Sequence, residues 1–311
     1  MKRPLKDVAA SIHQRLLNKA KESGRTFNEL LQYYSMERFL YRMSKSAYTE
    51  QFVLKGALML MVWEAPFIRP TRDIDFLGLM ENSQNAVDKV IREVCIQNVE
   101  KPDGLSFDPL TVRTERIIED AIYEGVRVQF LGHIGKSEVH MYIDVGFGDK
   151  ITPPAIFLEY PTILDHPAPK ILGYNRETTI AEKLQVMVKL GEFNSRMRDF
   201  YDIWLLSRQF DFEGKVLASA IKNTFSNRDT EISPRPIAFT EAFAADSVKQ
   251  EQWEAFLRRS RLENAPENFQ ELVKAISVFL LPVISGLSAR KPFTAVWISP
   301  GPWKSREKRV D

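Results

Sequence analysis

The residues best equipped for chemistry stand two positions apart, Asp73 and Asp75 in the run Thr71-Arg72-Asp73-Ile74-Asp75-Phe76-Leu77. The run reads as a short strand, and side chains at i and i+2 of a strand share a face. Both carboxylates then project together while Ile74 and Phe76 turn into the core. Two carboxylates held this close repel each other unless a cation lies between them. A hard divalent ion carrying the phosphates of a nucleotide is the usual reason to build such a pair. The tripeptide also fits a solvated strand edge. Upstream, Leu54-Lys55-Gly56-Ala57-Leu58 supplies a glycine that lets backbone approach a phosphate closely, with turn N–H groups to cradle it.

Further charged residues are candidates. In Glu138–Val145, Val139, Met141, Ile143 and Val145 alternate with His140, Tyr142 and Asp144, so Asp144 leaves its strand opposite the apolar set. A third carboxylate on a neighbouring strand would complete a metal site; a carboxylate near a strand edge is the plain alternative. The spacing predicts a helix over 178–190, capped by Thr178 or Thr179 and stopped by Gly191. Ala181, Leu184 and Val188 form its packed stripe, leaving Glu182, Lys183 and Lys189 on the surface. A helix over 195–208 carries Asp199 and Asp202 at i and i+3, on one face and near its start. The helix dipole favours negative charge there, which explains the pair without a function.

The elements that must position these residues follow from periodicity and capping. A first helix spans 8–22, with Gly24 just beyond its end. Thr26 and Glu29 form a capping box for a second, whose aromatic residues read as core. Arg38, Arg42 and Lys45 on it read as a solvated face or a phosphate-binding rim. Residues 51–63 are helix or strand, 73–76 strand, 85–97 amphipathic helix, and 109–114, 121–131 and 138–145 strands. Gly146-Phe147-Gly148-Asp149 reads as a turn. The proline-dotted stretch 153–169 is a candidate linker or domain boundary. Beyond it, helices are expected over 216–224, 239–244, 248–259 and 266–280. Residues 290–311 read as a flexible or loosely docked tail, whose Trp297 and Trp303 could anchor a partner.

Composition excludes several classes. The chain has 311 residues, 44% of them hydrophobic, and a formal net charge of +2, which neither demands nor excludes a nucleic-acid partner. One cysteine, Cys95, on an apolar helical stripe, permits no internal disulfide and no zinc cluster. Met1-Lys2-Arg3 is basic but no apolar segment follows, and the longest apolar run, 275–287, is too short to span a bilayer. A cytoplasmic protein with no membrane partner is expected. The phosphate-binding GxxxxGK loop and the GxSxG elbow are missing, and the four histidines lack metal-ligand spacing. Metal-assisted phosphoryl or nucleotidyl transfer through carboxylates remains.

Three blocks agree with one family. Leu54–Leu58 followed by Arg69–Phe76, then Glu177-Thr178-Thr179-Ile180-Ala181-Glu182-Lys183-Leu184, then Arg196-Met197-Arg198-Asp199-Phe200-Tyr201-Asp202-Ile203-Trp204, resemble in order and spacing the nucleotidyltransferase-like toxins of the AbiEii/AbiGii family. The resemblance implies an α+β fold: a polymerase β-like nucleotidyltransferase core with a small mixed sheet, followed by a helical C-terminal domain. The division expected is 1–50 as helices packing on the core, 51–165 as the core, 170–288 as the helical domain and 289–311 as the tail. It implies a toxin of a type IV toxin–antitoxin or abortive-infection system, related to the MenT toxins, with a winged-helix antitoxin encoded nearby. It places metal and nucleotide at Asp73 and Asp75, the triphosphate against Lys55, Gly56 and Ala57, and Lys183 on the phosphates. Asp199 and Asp202 fall in the family's late acidic motif. Gly56-Ala57 departs from the Gly-Ser or Gly-Gly usual in polymerase β-type motifs: backbone donors survive, a serine hydroxyl does not.

The expected reaction is transfer of a nucleotide from a nucleoside triphosphate to an acceptor, with tRNA implied by the resemblance. Two Mg²⁺ ions (or Mn²⁺) bound by Asp73, Asp75 and Asp144 would hold the triphosphate for in-line attack on its α-phosphate. Two rivals remain: a non-catalytic module of the same fold that binds RNA or the antitoxin, and a metal-dependent nuclease.

Overall fold

In a computed structural model of the chain, residues 7–65, 70–119, 123–262 and 264–305 are described. Helix α1 (Val8–Ser23) opens on Asp7, whose side chain accepts from the Ala10 N–H, and ends at Gly24 in the left-handed region. Thr26 caps α2 (Phe27–Lys45) by accepting from the Glu29 N–H. α2 is buried almost throughout from Leu30 to Met43. Its arginines form neither a rim nor a solvated face. Arg42 grips both carboxylate oxygens of buried Asp103, at 2.7 and 3.1 Å, and donates to the Leu105 carbonyl. Arg38 pairs with neighbouring Glu37 at 2.8 Å and donates to the Pro167 carbonyl. Buried charges need such partners, and Asp103, Leu105 and Pro167 come from segments distant in sequence. Lys45 stays at the surface, paired with Glu100.

The stretch 51–63 resolves into strand β1 (Phe52–Lys55), the glycine turn and the short helix α3 (Leu58–Val62). Strand β2 (Asp73–Gly78), helix α4 (Gln84–Cys95), and strands β3 (Leu105–Glu119), β4 (Tyr123–Ile134) and β5 (Ser137–Phe147) follow. The three last strands run longer than their apolar cores suggested, and β5 absorbs Gly146 and Phe147, expected in a turn. The segment 153–169 is not a linker, although the boundary between the two units falls within it, between Ala155 and Ile156. Strand β6 (Ile156–Glu159) forms a hairpin with β7 (Lys170–Gly173), and β7 pairs in parallel with β1. The result is one seven-stranded mixed sheet in the order β3-β4-β5-β2-β1-β7-β6. Helix α2 packs on β5 and β7, and α4 on β3 and β4. Cys95 is buried there, and burial pushes its thiol up to about 12, as an inert packing residue requires.

Contacts divide the chain into two units. The first holds Met1–Glu64, Thr71–Gly148 and Ile156–Gly173, and so includes the N-terminal helices and the whole sheet. The second takes Asp149–Ala155 and the chain from Tyr174 onward. It begins with α5 (Arg176–Leu190), capped not by a threonine but by Asn175, whose side chain accepts from the Thr178 N–H at 2.7 Å. The Thr178 hydroxyl is used instead on the Thr152 carbonyl. Then come α6 (Met197–Gln209), strand β8 (Phe212–Glu213), α7 (Gly214–Asn227), α8 (Glu241–Ala244), α9 (Ser247–Ser260) and α10 (Phe269–Ser288).

α10 runs through Pro282, so the apolar run lies on a 20-residue helix that is long and apolar enough to cross a membrane by length and composition. Its face of Leu272, Val273, Ile276, Phe279, Leu280, Val283 and Ile284 is buried, and it packs on α6 and α7. The tail, up to the last described residues, docks. Strands β9 (Val296–Trp297) and β10 (Trp303–Lys304) join β8 in a three-stranded sheet. The Trp297 indole N–H donates to the Ser207 carbonyl and that of Trp303 to the Phe279 carbonyl, so both tryptophans anchor within their own chain.

Candidate active site

Strand β2 presents Asp73 exposed and Asp75 half-buried, with Ile74 and Phe76 in the core, as the alternation requires. Strand pairing then builds a charged row across the sheet. Asp75 lies opposite Lys55 of β1 on one side and Asp144 of β5 on the other. Asp144 lies opposite Arg127 of β4, and Arg127 opposite Glu115 of β3. Residues in register share a face, so the row reads Glu115, Arg127, Asp144, Asp75, Lys55. The next row is Arg113, Gln129, Tyr142 and Asp73.

Gly56 has a reason for being glycine that sequence reading assigned to a phosphate. Its φ is +72°, a region that side chains rarely adopt, and a Cβ on it would sit 1.9 Å from Asp75 Oδ2. The Asp75 carboxylate rests against the bare Cα. Lys55 is only 7% exposed, and Ala57 is buried.

Asp144 stands beside Asp75 as expected, but both its oxygens are taken. Arg127 Nε donates to Oδ1 at 2.8 Å and Nη2 to Oδ2 at 2.7 Å. Among the described residues, no group of three His, Cys, Asp or Glu side chains is placed to hold a metal ion. The oxygen donors of Asp73 and Asp75 suit a hard divalent cation. As arranged, the third carboxylate is held in an ion pair with Arg127.

In the second unit, α5 and α6 bring the remaining candidates together. Lys183 Nζ lies 2.8 Å from Asp199 Oδ1 and 2.9 Å from Asp202 Oδ2. It is therefore not the surface lysine its position outside the apolar stripe suggested; its side chain is 14% exposed. Arg196 Nε adds a 2.6 Å contact to the other Asp199 oxygen. Asp199 is wholly buried. Burial opposes its ionisation, but Lys183, Arg196 and Arg198 outweigh it and hold the carboxyl well below the ordinary range. A second network lies one residue back: Glu182 accepts from the Tyr174 hydroxyl, and Arg228 grips Asp149 at 2.8 and 2.9 Å and Gln185 at 2.9 Å. Asp149, read as a turn residue, is half-buried and anchors Arg228, the residue that ends α7.

The profile of the family described as "Nucleotidyl transferase AbiEii toxin, Type IV TA system" matches residues 38–275. The chain belongs to the AbiEii family. That span begins in α2, includes every candidate residue above and ends in α10. Among solved structures, JHP933 from Helicobacter pylori matches at 14% identity with a TM-score of 0.48, over 85% of this chain and 95% of that one. A second H. pylori protein, described as a candidate nucleotidyltransferase, matches at 14% identity with a TM-score of 0.47, over 86% and 99%. A search of curated proteins returned no match. AbiEii membership makes this chain a nucleotidyltransferase-family toxin of a type IV system, a class defined together with an antitoxin.

Sequence reading missed Arg127 and Arg196. Arg196 was visible in its motif, three residues before Asp199. Arg127 alternates with Val126 and Val128 on a strand, but only register pairs it with Asp144.

Proposed function

We propose that this AbiEii protein transfers a nucleotide from a nucleoside triphosphate to an acceptor hydroxyl at the Asp73–Asp75 face, with Mg²⁺ or Mn²⁺. The observation that carries the reading is the carboxylate pair on one face of β2, with Asp75 seated on Gly56. Asp73 and Asp75 would hold the ion, and Asp144 stands next in register. Bound there, the cation supplies charge neutralisation of the triphosphate and a more electrophilic α-phosphorus. The acceptor oxygen forms a bond to that phosphorus as the bond to the bridging oxygen breaks and pyrophosphate leaves. Lys55, Gly56 and Ala57 line the triphosphate side. Lys183 would offset charge on the phosphates, and Asp199 and Asp202, both paired with it, would hold its ammonium in place. The acceptor proposed is RNA, tRNA in particular, and the antitoxin a winged-helix protein.

Expression of Asp75→Asn in a bacterial host tests the assignment. Growth inhibition is expected to be lost while the folded protein accumulates normally. Inhibition at the wild-type level would remove Asp75 from the mechanism. Host RNA lengthened by nucleotides fits transfer, and shortened RNA fits a nuclease.

One observation favours a second reading. Arg127 occupies both oxygens of Asp144, which suits a non-catalytic module that binds RNA or the antitoxin. Such a module shows no Mg²⁺-dependent triphosphate binding controlled by Asp73 and Asp75.

A further inference from the structure

We infer that Arg127 is a positioning residue: it keeps Asp144 away from the cation position beside Asp75 and releases it when an incoming phosphate takes the guanidinium. The inference rests on the proposed transferase reading and extends it to a residue the family motifs do not include. The geometry points to it in three ways. Register sets Asp144 directly beside Asp75, where a third ligand is needed. The Arg127 fork, on the side of β5 away from Asp75, engages both oxygens of Asp144 at 2.7 and 2.8 Å and holds the carboxylate toward itself. The Arg127 side chain is 40% exposed while Asp144 is 14% exposed, so the guanidinium has an open side that a dissolved anion can reach. A guanidinium fork fits phosphate as well as it fits carboxylate. A triphosphate also carries more charge than Asp144, so the exchange favours it. Hydrogen bonding to Asp144 dominates the pull on the Arg127 proton, with Asp73 and Glu115 adding to it. The guanidinium therefore sits among three carboxylates, of which one is in register with Asp75.

Calorimetric titration with Mn²⁺ alone tests this without catalysis. Arg127→Ala is expected to bind Mn²⁺ about tenfold more tightly than the wild type, the effect of one carboxylate ligand set free. Removing a positive charge would by itself tighten binding, so two charge-matched double variants separate the causes. The gain is expected to vanish in Arg127→Ala/Asp144→Asn and to persist in Arg127→Ala/Glu115→Gln. Arg127→Lys keeps the charge but cannot hold both oxygens, and a smaller gain in the same direction is expected from it. Equal loss of the gain in both double variants overturns the inference, as does no gain in either single variant while wild-type binding still depends on Asp73 and Asp75. Mn²⁺ binding that ignores Asp73 and Asp75 overturns the transferase reading and the inference with it.

Discussion

Asp75 is held by what its neighbours lack as much as by what they carry. Gly56 leaves room for the carboxylate, and its positive φ excludes a side chain on two independent grounds. Gly56→Ala is expected to cost about 1–3 kcal/mol from backbone strain, and to displace Asp75 from the face it shares with Asp73. Thermal unfolding checks the first effect, and loss of Asp75-dependent Mn²⁺ binding the second. A variant that binds Mn²⁺ normally would show that the carboxylate does not need the glycine. The acidic pair itself was legible in the sequence because period-two alternation is a local property. The reason for the glycine was not, since it is Asp75 on another strand, the register partner of the adjacent Lys55.

At the scale of elements, α2 shows why a charged helix can be core. Glu37 is buried at its centre, accepts from the Ile163 N–H at 2.6 Å and pairs with Arg38, which reaches the Pro167 carbonyl. Through these bonds the helix pins the segment leading to β7. Burial pushes the Glu37 carboxyl up to about 7, against the pull of Arg38. A raised folded-state value means that the unfolded chain gives up this proton first as pH rises. The contribution of Glu37 to stability therefore falls between pH 4.5 and about 7 and is flat outside that window. His166 acts in the opposite sense: burial, with Arg38 and Lys101, holds it at about 4, so its contribution rises with pH up to its ordinary range near 6.5. The difference between wild type and Glu37→Gln isolates the first effect. The variant is expected to gain on the wild type as pH rises through that window, by on the order of 3 kcal/mol in denaturant titrations. A constant difference would mean that Glu37 does not titrate there. In the C-terminal sheet, Trp297→Ala is expected to cost about 3–5 kcal/mol, because the ring is 2% exposed and its N–H is bonded to Ser207. Unfolding at unchanged denaturant concentration would contradict the docked tail. Prolines made 153–169 look like a linker or boundary, and prolines with basic residues made this tail look flexible or loosely docked. Such short strands carry too few residues for alternation to show, and several of their partners lie far away in sequence.

For the whole molecule, the family, the mixed sheet and the C-terminal helices were legible in three short blocks, because each block combines chemistry with a local structural signal. What the blocks do not encode is the pairing that surrounds them: Arg127 on Asp144, and Lys183 between Asp199 and Asp202. Those contacts depend on register and helix packing. Within each unit they leave these carboxylates with their charges already balanced. The most direct test of the central claim is to incubate the purified protein with each α-³²P-labelled nucleoside triphosphate, Mg²⁺ and total tRNA, and to resolve the products on a denaturing gel. The account predicts label on RNA from a preferred nucleotide, lost in Asp73→Ala and Asp75→Asn. Label that persists in both variants, or none on RNA or protein with any nucleotide, would contradict it.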